Sequence, residues 1–175
     1  FNAAISACQH GRQWLRAVSL LHHMHVASVM PDVISFNAAI AAGRKSGQWE
    51  QALMLLSRMM SAGFDPDIIS YNSAMSAFAN DGQWHRGLLL LNVMRAASAT
   101  PDLRSFTSAI WACNKDGNVE VADSLISQML DATVSPDVIS YNALIRACTN
   151  DAHMTAMLTV LTMNEAGVDP NVHSF

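Results

Sequence analysis

The sequence lacks most of the features by which enzymes, metalloproteins and membrane proteins are recognised. No apolar run reaches the roughly 18–20 residues that a transmembrane helix needs. There is no Ser-His-Asp order, no glycine-rich phosphate loop and no pair of carboxylates in a predicted pocket. The three cysteines include no CxxC pair, so no metal site is indicated. We therefore expect no membrane association, no cofactor and no catalytic residue within these 175 residues.

Charge is also scarce, and its balance is acidic. Charged residues make up 14% of the chain, and the net charge is −4. Proteins that bind nucleic acids are usually basic, so this balance counts against a strong electrostatic attraction to them. Apolar residues make up 51%, which is enough to bury a continuous core and excludes a disordered chain.

What the sequence does contain is a motif, Pro-Asp-Val-Ile-Ser-Phe/Tyr-Asn, that recurs with a step of 35 residues. Columns of proline, tryptophan and methionine keep the same step. The aromatic residues of the motif are Phe1, Phe36, Tyr71, Phe106 and Tyr141. A fixed period of this size is the signature of an array in which each unit packs on its neighbours.

The period divides residues 1–175 into one predicted array. Its units are a partial repeat 1–32, the repeats 33–67, 68–102, 103–137 and 138–171, and the start of a sixth at 172–175. No polar capping repeat is visible, so we expect a segment of a longer array. The fifth repeat is one residue short, because Pro136 and Pro170 are 34 residues apart. The missing residue is predicted to lie between Ala152 and Met163.

Each repeat is predicted to be a helical hairpin. In repeat 68–102, apolar residues at helical spacing follow Asp67, which occupies an N-cap position. An Asn-Asp-Gly turn then precedes a second helix, which begins at Trp84 and ends before Pro101. Strand signals are absent, so we predict an all-α fold, an α-solenoid of stacked helix-turn-helix hairpins. The tryptophan and methionine columns are predicted to pack in the core, together with unpaired Cys8, Cys113 and Cys148.

The repeat resembles that of pentatricopeptide repeat proteins along the entire chain. The resemblance rests on the step of 35, the [Ser/Thr]-[Phe/Tyr]-Asn opening, a glycine near the middle and the closing Pro-Asp. The tetratricopeptide pattern is absent, because Trp49 and Trp84 open the second helix. The resemblance implies a right-handed superhelix that binds single-stranded RNA, one base per repeat, in mitochondria or plastids. Its implied roles are RNA processing, stability, editing or translation.

The resemblance also implies which residues read the bases. In the family, the polar residue after the aromatic pairs with the last residue of the same repeat. The pairs are Asn2 with Asp32, Asn37 with Asp67, Asn72 with Asp102, Thr107 with Asp137, and Asn142 with Asn171. Asn–Asp resembles uracil readers, Thr–Asp guanine readers and Asn–Asn cytosine or uracil readers, which implies a preference for 5′-UUUG(C/U)-3′. The residues expected to pack against the bases are Ile34, Ile69, Arg104 and Ile139.

Basic residues on the predicted first helices are candidates for contacts with the RNA backbone. They are Arg44, Lys45, Lys115 and Arg146. Inside the predicted first helices there is no Asp or Glu, since Asp81 is assigned to a turn, so this face is expected to be more positive than the whole chain. Because the cations are few, we expect weak, salt-sensitive binding.

Other functions fit the same residues. Each closing Asp could be only a helix N-cap, each Asn could hydrogen-bond between repeats, and the cations could form a solvated face. The second hypothesis is a protein-interaction solenoid that does not bind RNA, which the acidic net charge favours. The regular Asn–Asp and Thr–Asp pairs favour RNA binding, since a protein scaffold has no need of them.

Overall fold

The computed structural model describes residues 1–10, 13–44, 49–148, 153–171 and 174, which form helices joined by turns, without strands. In chain order the helices are α1 (Asn2–His10), α2 (Trp14–Val26), α3 (Val33–Gly43), α4 (Trp49–Ser61), α5 (Ile68–Asp81), α6 (Trp84–Ala96), α7 (Leu103–Cys113), α8 (Val119–Asp131), α9 (Val138–Ala147) and α10 (His153–Glu165). The predicted all-α class is confirmed, with an odd-numbered first helix and an even-numbered second helix in each hairpin. None of these helices is long and apolar enough to cross a membrane. Lys45 and Ala152 lie outside the described residues.

The chain forms two compact units, residues 1–80 and 81–175. The first contains α1 to α4 and all of α5 except Asp81, and the second contains that residue and α6 to α10. In the first unit, α1 packs against α2 and α3, and α3 packs against α4. In the second, α7 packs against α6, α8 and α9, and α9 packs against α10. In each unit the leading complete hairpin shows the same packing, because α1 and α7 each contact their own second helix and the next first helix, as stacked repeats require. One array over all 175 residues stays a prediction.

The first helices begin where the sequence places an aspartate cap. Asp32 accepts a hydrogen bond from Ser35 N at 2.8 Å, and Asp137 accepts one from Ser140 N at the same distance. Asp102 caps α7 in the same way. Such a cap satisfies a backbone N–H group that has no partner within the helix, and it stabilises the start by about 1 kcal/mol. The N-cap interpretation of these aspartates is therefore confirmed.

The second helices end with a left-handed residue at one fixed slot of the repeat. The residues at this slot are Ser28, Gly63, Ser98, Thr133 and Gly167, with φ between 56° and 82°. A hydrogen bond from Val134 N to Met129 O at 2.8 Å closes the end of α8, and the other second helices whose ends are described close likewise. The left-handed conformation lets backbone N–H groups after the helix bond to carbonyl oxygens of its last turn. It also turns the chain toward the next first helix.

The core takes the same side chains from successive hairpins. The buried methionines are Met24, Met59, Met94, Met129 and Met163, and the buried aromatics are Phe36, Tyr71, Phe106 and Tyr141. The predicted methionine column is therefore confirmed. The tryptophan column is not fully in the core, because Trp14, Trp49 and Trp84 are only partly buried. The Trp84 indole N–H donates to Asp116 Oδ2 at 3.0 Å, since an indole at the edge of a core needs a polar partner.

The cysteines are buried and unpaired, as predicted. Burial, and to a smaller extent the Asp116 carboxylate, raises the pKa of Cys113 to about 12. Burial likewise raises the pKa of Cys148, with a smaller effect of Asp123. Thiols with raised pKa values react slowly, so these side chains act as small apolar packing groups.

The shortened fifth repeat differs from the others before its second helix. Helix α10 begins at His153, only 34 residues after Val119 begins α8. Helix α8 itself begins 35 residues after Trp84 begins α6. The position of the missing residue, predicted between Ala152 and Met163, stays a prediction.

Candidate nucleic-acid interface

The closing aspartates of the first unit each bind a serine three residues later. Asp32 Oδ1 lies 2.8 Å from both the backbone nitrogen and the hydroxyl of Ser35. Asp67 Oδ1 lies 2.8 Å from the same two groups of Ser70. The backbone nitrogen of each Asp in turn donates to the serine hydroxyl, at 3.3 Å and 3.2 Å. Each carboxylate is thus fixed at the start of a first helix.

The asparagine of the preceding first helix completes the arrangement. Asn2 Nδ2 donates to Asp32 at 3.2 Å, and Asn37 Nδ2 donates to Asp67 at 3.1 Å. The hydroxyls of Ser35 and Ser70 donate to the amide oxygens of Asn2 and Asn37. We call each such set an Asn–Asp–Ser cluster. The structure thus brings together the first two pairs that the resemblance implies, and the inter-repeat hydrogen bonds of the alternative interpretation are present as well.

The fifth pair repeats this geometry with two asparagines. Asn142 Nδ2 donates to Asn171 Oδ1 at 3.2 Å, and the Ser174 hydroxyl donates to Asn142 Oδ1 at 2.7 Å. Asn171 N donates to the Ser174 hydroxyl at 3.0 Å, as the nitrogen of the closing aspartate does in three earlier repeats. The one-residue shortening therefore leaves this pair in contact.

The fourth pair is joined only indirectly. The Thr107 hydroxyl donates to Leu103 O at 2.7 Å and lies 2.9 Å from the Ser140 hydroxyl. Asp137 accepts from the same serine hydroxyl at 2.8 Å. Ser140 therefore stands between the two predicted readers. For the third pair, Asn72 belongs to the first unit and Asp102 to the second, and Asp102 caps α7 with Ser105.

Access to the predicted readers varies. Asp32 is exposed, whereas Asn2, Asn37, Asp67, Thr107 and Asp137 are partly buried. Asn72 and Asn142 are only 6% and 7% exposed, which is less than an exposed reading face would give. Each amide carries two N–H donors and two acceptor lone pairs, and Asn37 uses one of each within the described residues. One donor and one lone pair of Asn37 therefore remain for a ligand.

Two aspartates of the clusters are held in the charged form. Hydrogen bonds from the Ser35 backbone, the Ser35 hydroxyl and Asn2 lower the pKa of Asp32 against the opposing effect of burial. Burial raises the pKa of Asp67, but hydrogen bonds from Ser70 and Asn37 outweigh it, and the net pKa is lowered. At neutral pH both carboxylates are therefore ionised, so they can accept hydrogen bonds but not donate them. They suit a ligand that brings an N–H group.

The predicted base-packing residues are exposed. Ile34, Ile69 and Ile139 expose 62%, 58% and 56% of their surface, and Arg104 is also exposed. Each lies three residues before a predicted reader, and hence on the same face of its helix. Large aliphatic side chains exposed at one slot of several repeats fit a flat apolar ligand. The structure thus places an exposed apolar side chain beside three of the predicted readers and a charged side chain beside the reader of the fourth repeat.

The predicted backbone contacts differ in their surroundings. Arg44 is the C-cap of α3 and is partly buried, and its carbonyl accepts a hydrogen bond from Asn80 Nδ2 at 2.6 Å. Lys115 lies in the turn after α7 and not on the first helix, where the sequence predicts it, and its Nζ is 3.5 Å from Asp81 Oδ1. The sequence argument assigned Asp81 to a turn, but it is the last residue of α5, where a carboxylate opposes the helix dipole. The expectation of first helices without acids is therefore wrong at this position.

Sequence reasoning missed two features of this face. One is the set of cluster serines, all buried: Ser35, Ser70, Ser105, Ser140 and Ser174. Serine precedes the aromatic in every copy of the motif after Phe1, and this was the available signal. The other is the position of the Arg146 guanidinium, whose carbon lies 5.3 Å from the ring centroid of Trp111. No set of three potential metal ligands occurs among the described residues.

Family models match most of the repeats. The model described as the PPR repeat family matches residues 31–80 and 101–150, and the PPR repeat model matches residues 69–98. The chain belongs to the PPR repeat family. The resemblance seen in the sequence is therefore confirmed, and the hairpins within the matched residues are PPR repeats.

Solved PPR structures share this fold. The crystal structure of the pentatricopeptide repeat protein PPR10 in complex with an 18-nt psaJ RNA element aligns with a TM-score of 0.82 at 25% identity, covering 99% of this chain and 26% of that one. The PPR domain of Arabidopsis thaliana protein-only RNase P 1 in complex with tRNA aligns with a TM-score of 0.81 at 13% identity. The alignment covers 98% of this chain and 91% of that one. The structure of PPR10 from maize aligns with a TM-score of 0.54 at 22% identity, covering 99% of this chain and 30% of that one. This chain thus spans about a quarter of the PPR10 chain in the RNA complex. No curated protein matches it in sequence.

Proposed function

We propose that this PPR chain binds single-stranded RNA and that each repeat contacts one base. The proposal rests chiefly on one observation, the pairing of Asn2 with Asp32 and of Asn37 with Asp67 at 3.1–3.2 Å. Residues 30 positions apart thereby present an amide and a carboxylate side by side at successive repeats. The PPR10 structure, which is a complex with RNA, supports the same function for this chain.

The chemistry of an Asn–Asp pair matches the edge of uracil. Uracil presents an N–H group between two carbonyl oxygens. The carboxylate of Asp67 can accept from that N–H group, and the remaining amide hydrogen of Asn37 can donate to a carbonyl. Guanine presents further N–H donors, which suit the acceptors Asp137 and Thr107 Oγ1 at the fourth repeat. With the third and fifth pairs carried over from the resemblance, the preferred sequence is 5′-UUUG(C/U)-3′.

The exposed isoleucines supply the apolar part of the contact in the three repeats that carry them. A base that covers Ile34 or Ile69 removes apolar surface from water, and burying a side chain of this size stabilises by about 1–2 kcal/mol. The adjacent polar pair then selects among bases that stack equally well. By family resemblance, we place this activity in mitochondria or plastids, in RNA processing, stability, editing or translation.

A protein-interaction scaffold is the second candidate, and specific observations favour it. Asn72 and Asn142 are nearly buried, and Asp81 forms an ion pair with Lys115, one of the few cations predicted to contact the RNA backbone. In that function the clusters would serve only to join hairpins. The scaffold binds protein partners and is indifferent to RNA sequence.

An RNA titration separates the two functions. We expect an oligonucleotide containing UUUGC to bind more tightly than one in which the U and G positions are A, at both about 50 mM and about 200 mM salt. Binding should weaken with salt for both RNAs, because phosphate contacts depend on ionic strength. Equal affinities for the two RNAs, or no binding to either, would favour the scaffold.

A substitution at Ile69 tests the stacking surface. We expect Ile69→Asp to weaken binding of the UUUGC oligonucleotide by about tenfold, because the apolar contact is lost and a negative charge faces the RNA. Leu15→Asp is the matched control, since Leu15 is a second-helix side chain of the same unit with 68% exposure. Circular dichroism should show unchanged helicity in both variants. An unaltered titration curve for Ile69→Asp would count against this surface.

A further inference from the structure

A tryptophan and an arginine lie together on the first helices of the second unit. Trp111 is on α7, four residues after Thr107, and Arg146 is on α9, four residues after Asn142. Residues four apart share one face of a helix, so both lie beside the predicted readers of their repeats. The guanidinium of Arg146 lies over the Trp111 ring at 5.3 Å from the centroid. The proposed function makes no use of this pair as a unit.

The fold does not require large side chains at this slot. The equivalent residues of the first three repeats are Ser6, Ala41 and Ser76, which are all small. Trp111 is only partly buried and Arg146 is exposed, although both occur in well-packed first helices. The pair is therefore a local feature of the fourth and fifth repeats.

The contact leaves the arginine able to bind a further ligand. All five N–H donors of a guanidinium lie in its plane, so a ring beneath one face leaves them available. Among the described residues, no carboxylate lies within ion-pair distance of Arg146, and neither α7 nor α9 contains Asp or Glu. Arg104, also exposed on α7, adds positive charge to this surface. An arginine held by an aromatic ring and lacking a carboxylate partner suits a phosphate, which it can bind through two hydrogen bonds.

We propose that Arg146, positioned by Trp111, binds the RNA phosphate between the nucleotides contacted by the fourth and fifth repeats. This inference rests on the proposed function and assigns one phosphodiester to one side chain. Trp111 acts as a positioning residue, because its ring holds the guanidinium and restricts its rotamers. The contact adds affinity without base preference, since phosphates are the same in every sequence.

Charge and stacking can be separated by substitution. Arg146→Gln should raise the Kd for the UUUGC oligonucleotide by about tenfold and reduce the slope of log Kd against log salt by about 0.7, the contribution of one phosphate in a single strand. Arg146→Lys should keep that slope but lose about threefold in affinity, because an ammonium lacks the planar fork. The ratio of affinities for UUUGC and its A-substituted counterpart should stay constant in both variants. Arg95→Gln is the matched control, because Arg95 also lies over a ring, that of Phe106 at 5.8 Å, but on a second helix.

The assignment to one phosphate is tested with a modified RNA. An oligonucleotide with a neutral methylphosphonate between its fourth and fifth nucleotides should bind wild-type protein about tenfold less tightly, and Arg146→Gln should then cause no further loss. The same modification between the first and second nucleotides should leave the effect of Arg146→Gln intact. Additive losses at the fourth linkage would overturn the assignment.

The role of Trp111 needs a readout that packing alone does not change. Trp111→Leu should raise the Kd about threefold and abolish the difference between Arg146 and Arg146→Lys, whereas Trp111→Phe should keep most of it. A lower melting temperature with unchanged RNA affinity would make Trp111 a packing residue only. If Arg146→Gln binds like wild type while A-substituted RNA still binds poorly, the phosphate site is wrong and the proposed function stands. If no RNA binds, both fail.

Discussion

At the scale of single residues, a buried serine joins neighbouring hairpins. Ser70 Oγ lies within hydrogen-bond distance of Asn37 on the preceding first helix and of Asp67, the cap of its own helix. Its single hydrogen serves one oxygen at a time, while its lone pairs accept from the Asp67 backbone nitrogen. The serine thereby fixes the side chains that we propose to read a base.

Removing this hydroxyl should affect both stability and recognition. We expect Ser70→Ala to lower the free energy of unfolding by about 1–2 kcal/mol, because the Asn37 amide oxygen loses its donor in a partly buried site. Urea unfolding measures this loss. Ser73→Ala, at a partly buried position on the same helix, should change stability by less than about 0.5 kcal/mol. Equal effects of the two variants would contradict the linking role of Ser70.

The lowered pKa of Asp67 predicts acid sensitivity. Its folded-state pKa lies below the ordinary value of 3.8, so the unfolded chain takes up a proton more readily. The stabilisation is therefore complete above pH 3.8 and is lost as the pH falls through the lower, folded-state value. Asp67→Asn keeps an N-capping side chain but has no carboxyl group to titrate. We expect the melting temperature of the variant to depend less on pH below 3.8, and equal pH profiles would contradict this origin.

At the scale of helices, the left-handed slot after each second helix offers a stability test. Thr133 occupies it with φ of 58°, a conformation that costs a β-branched residue about 1 kcal/mol relative to glycine. Thr133→Gly should therefore raise the free energy of unfolding by about that amount. Gly63→Thr should lower it, although a Cβ at Gly63 meets no atom within 4 Å, because its backbone has φ of 82°. Destabilisation by Thr133→Gly would contradict this explanation.

The sequence predicts the starts of the helices better than their ends. Proline and a capping aspartate act locally, so the beginnings of α3 and α7 after Asp32 and Asp102 could be predicted. The left-handed ends could not, because Ser98 and Thr133 give no glycine signal. For the candidate site, the Asn–Asp pairs could be predicted from the sequence through the family resemblance. The contact between Arg146 and the ring 35 residues before it depends on how two helices pack, and no repeated pattern marks it.

At the scale of the whole molecule, the charges do not form a strongly basic surface. The net charge is −4, and Lys115, one of the cations predicted to contact the RNA backbone, forms an ion pair with Asp81. Each phosphate contact with a single strand contributes about 0.7 to the slope of log Kd against log salt concentration. Because few cations are available, we expect this slope to be small. Affinity must then come largely from stacking and hydrogen bonds within each repeat. Binding should therefore weaken as salt is added, but a change of base should alter the affinity more than a change of salt does.

Exchange of one base against one side chain tests the central claim most directly. Wild type and Thr107→Asn are each titrated with oligonucleotides containing UUUGC and UUUUC, and Thr162→Asn, at an exposed second-helix position, is the control. We expect wild type and the control to prefer G at the fourth base and Thr107→Asn to prefer U, each by about fivefold, the effect of one hydrogen bond. The same ratio of affinities for all three proteins would contradict base reading by this chain.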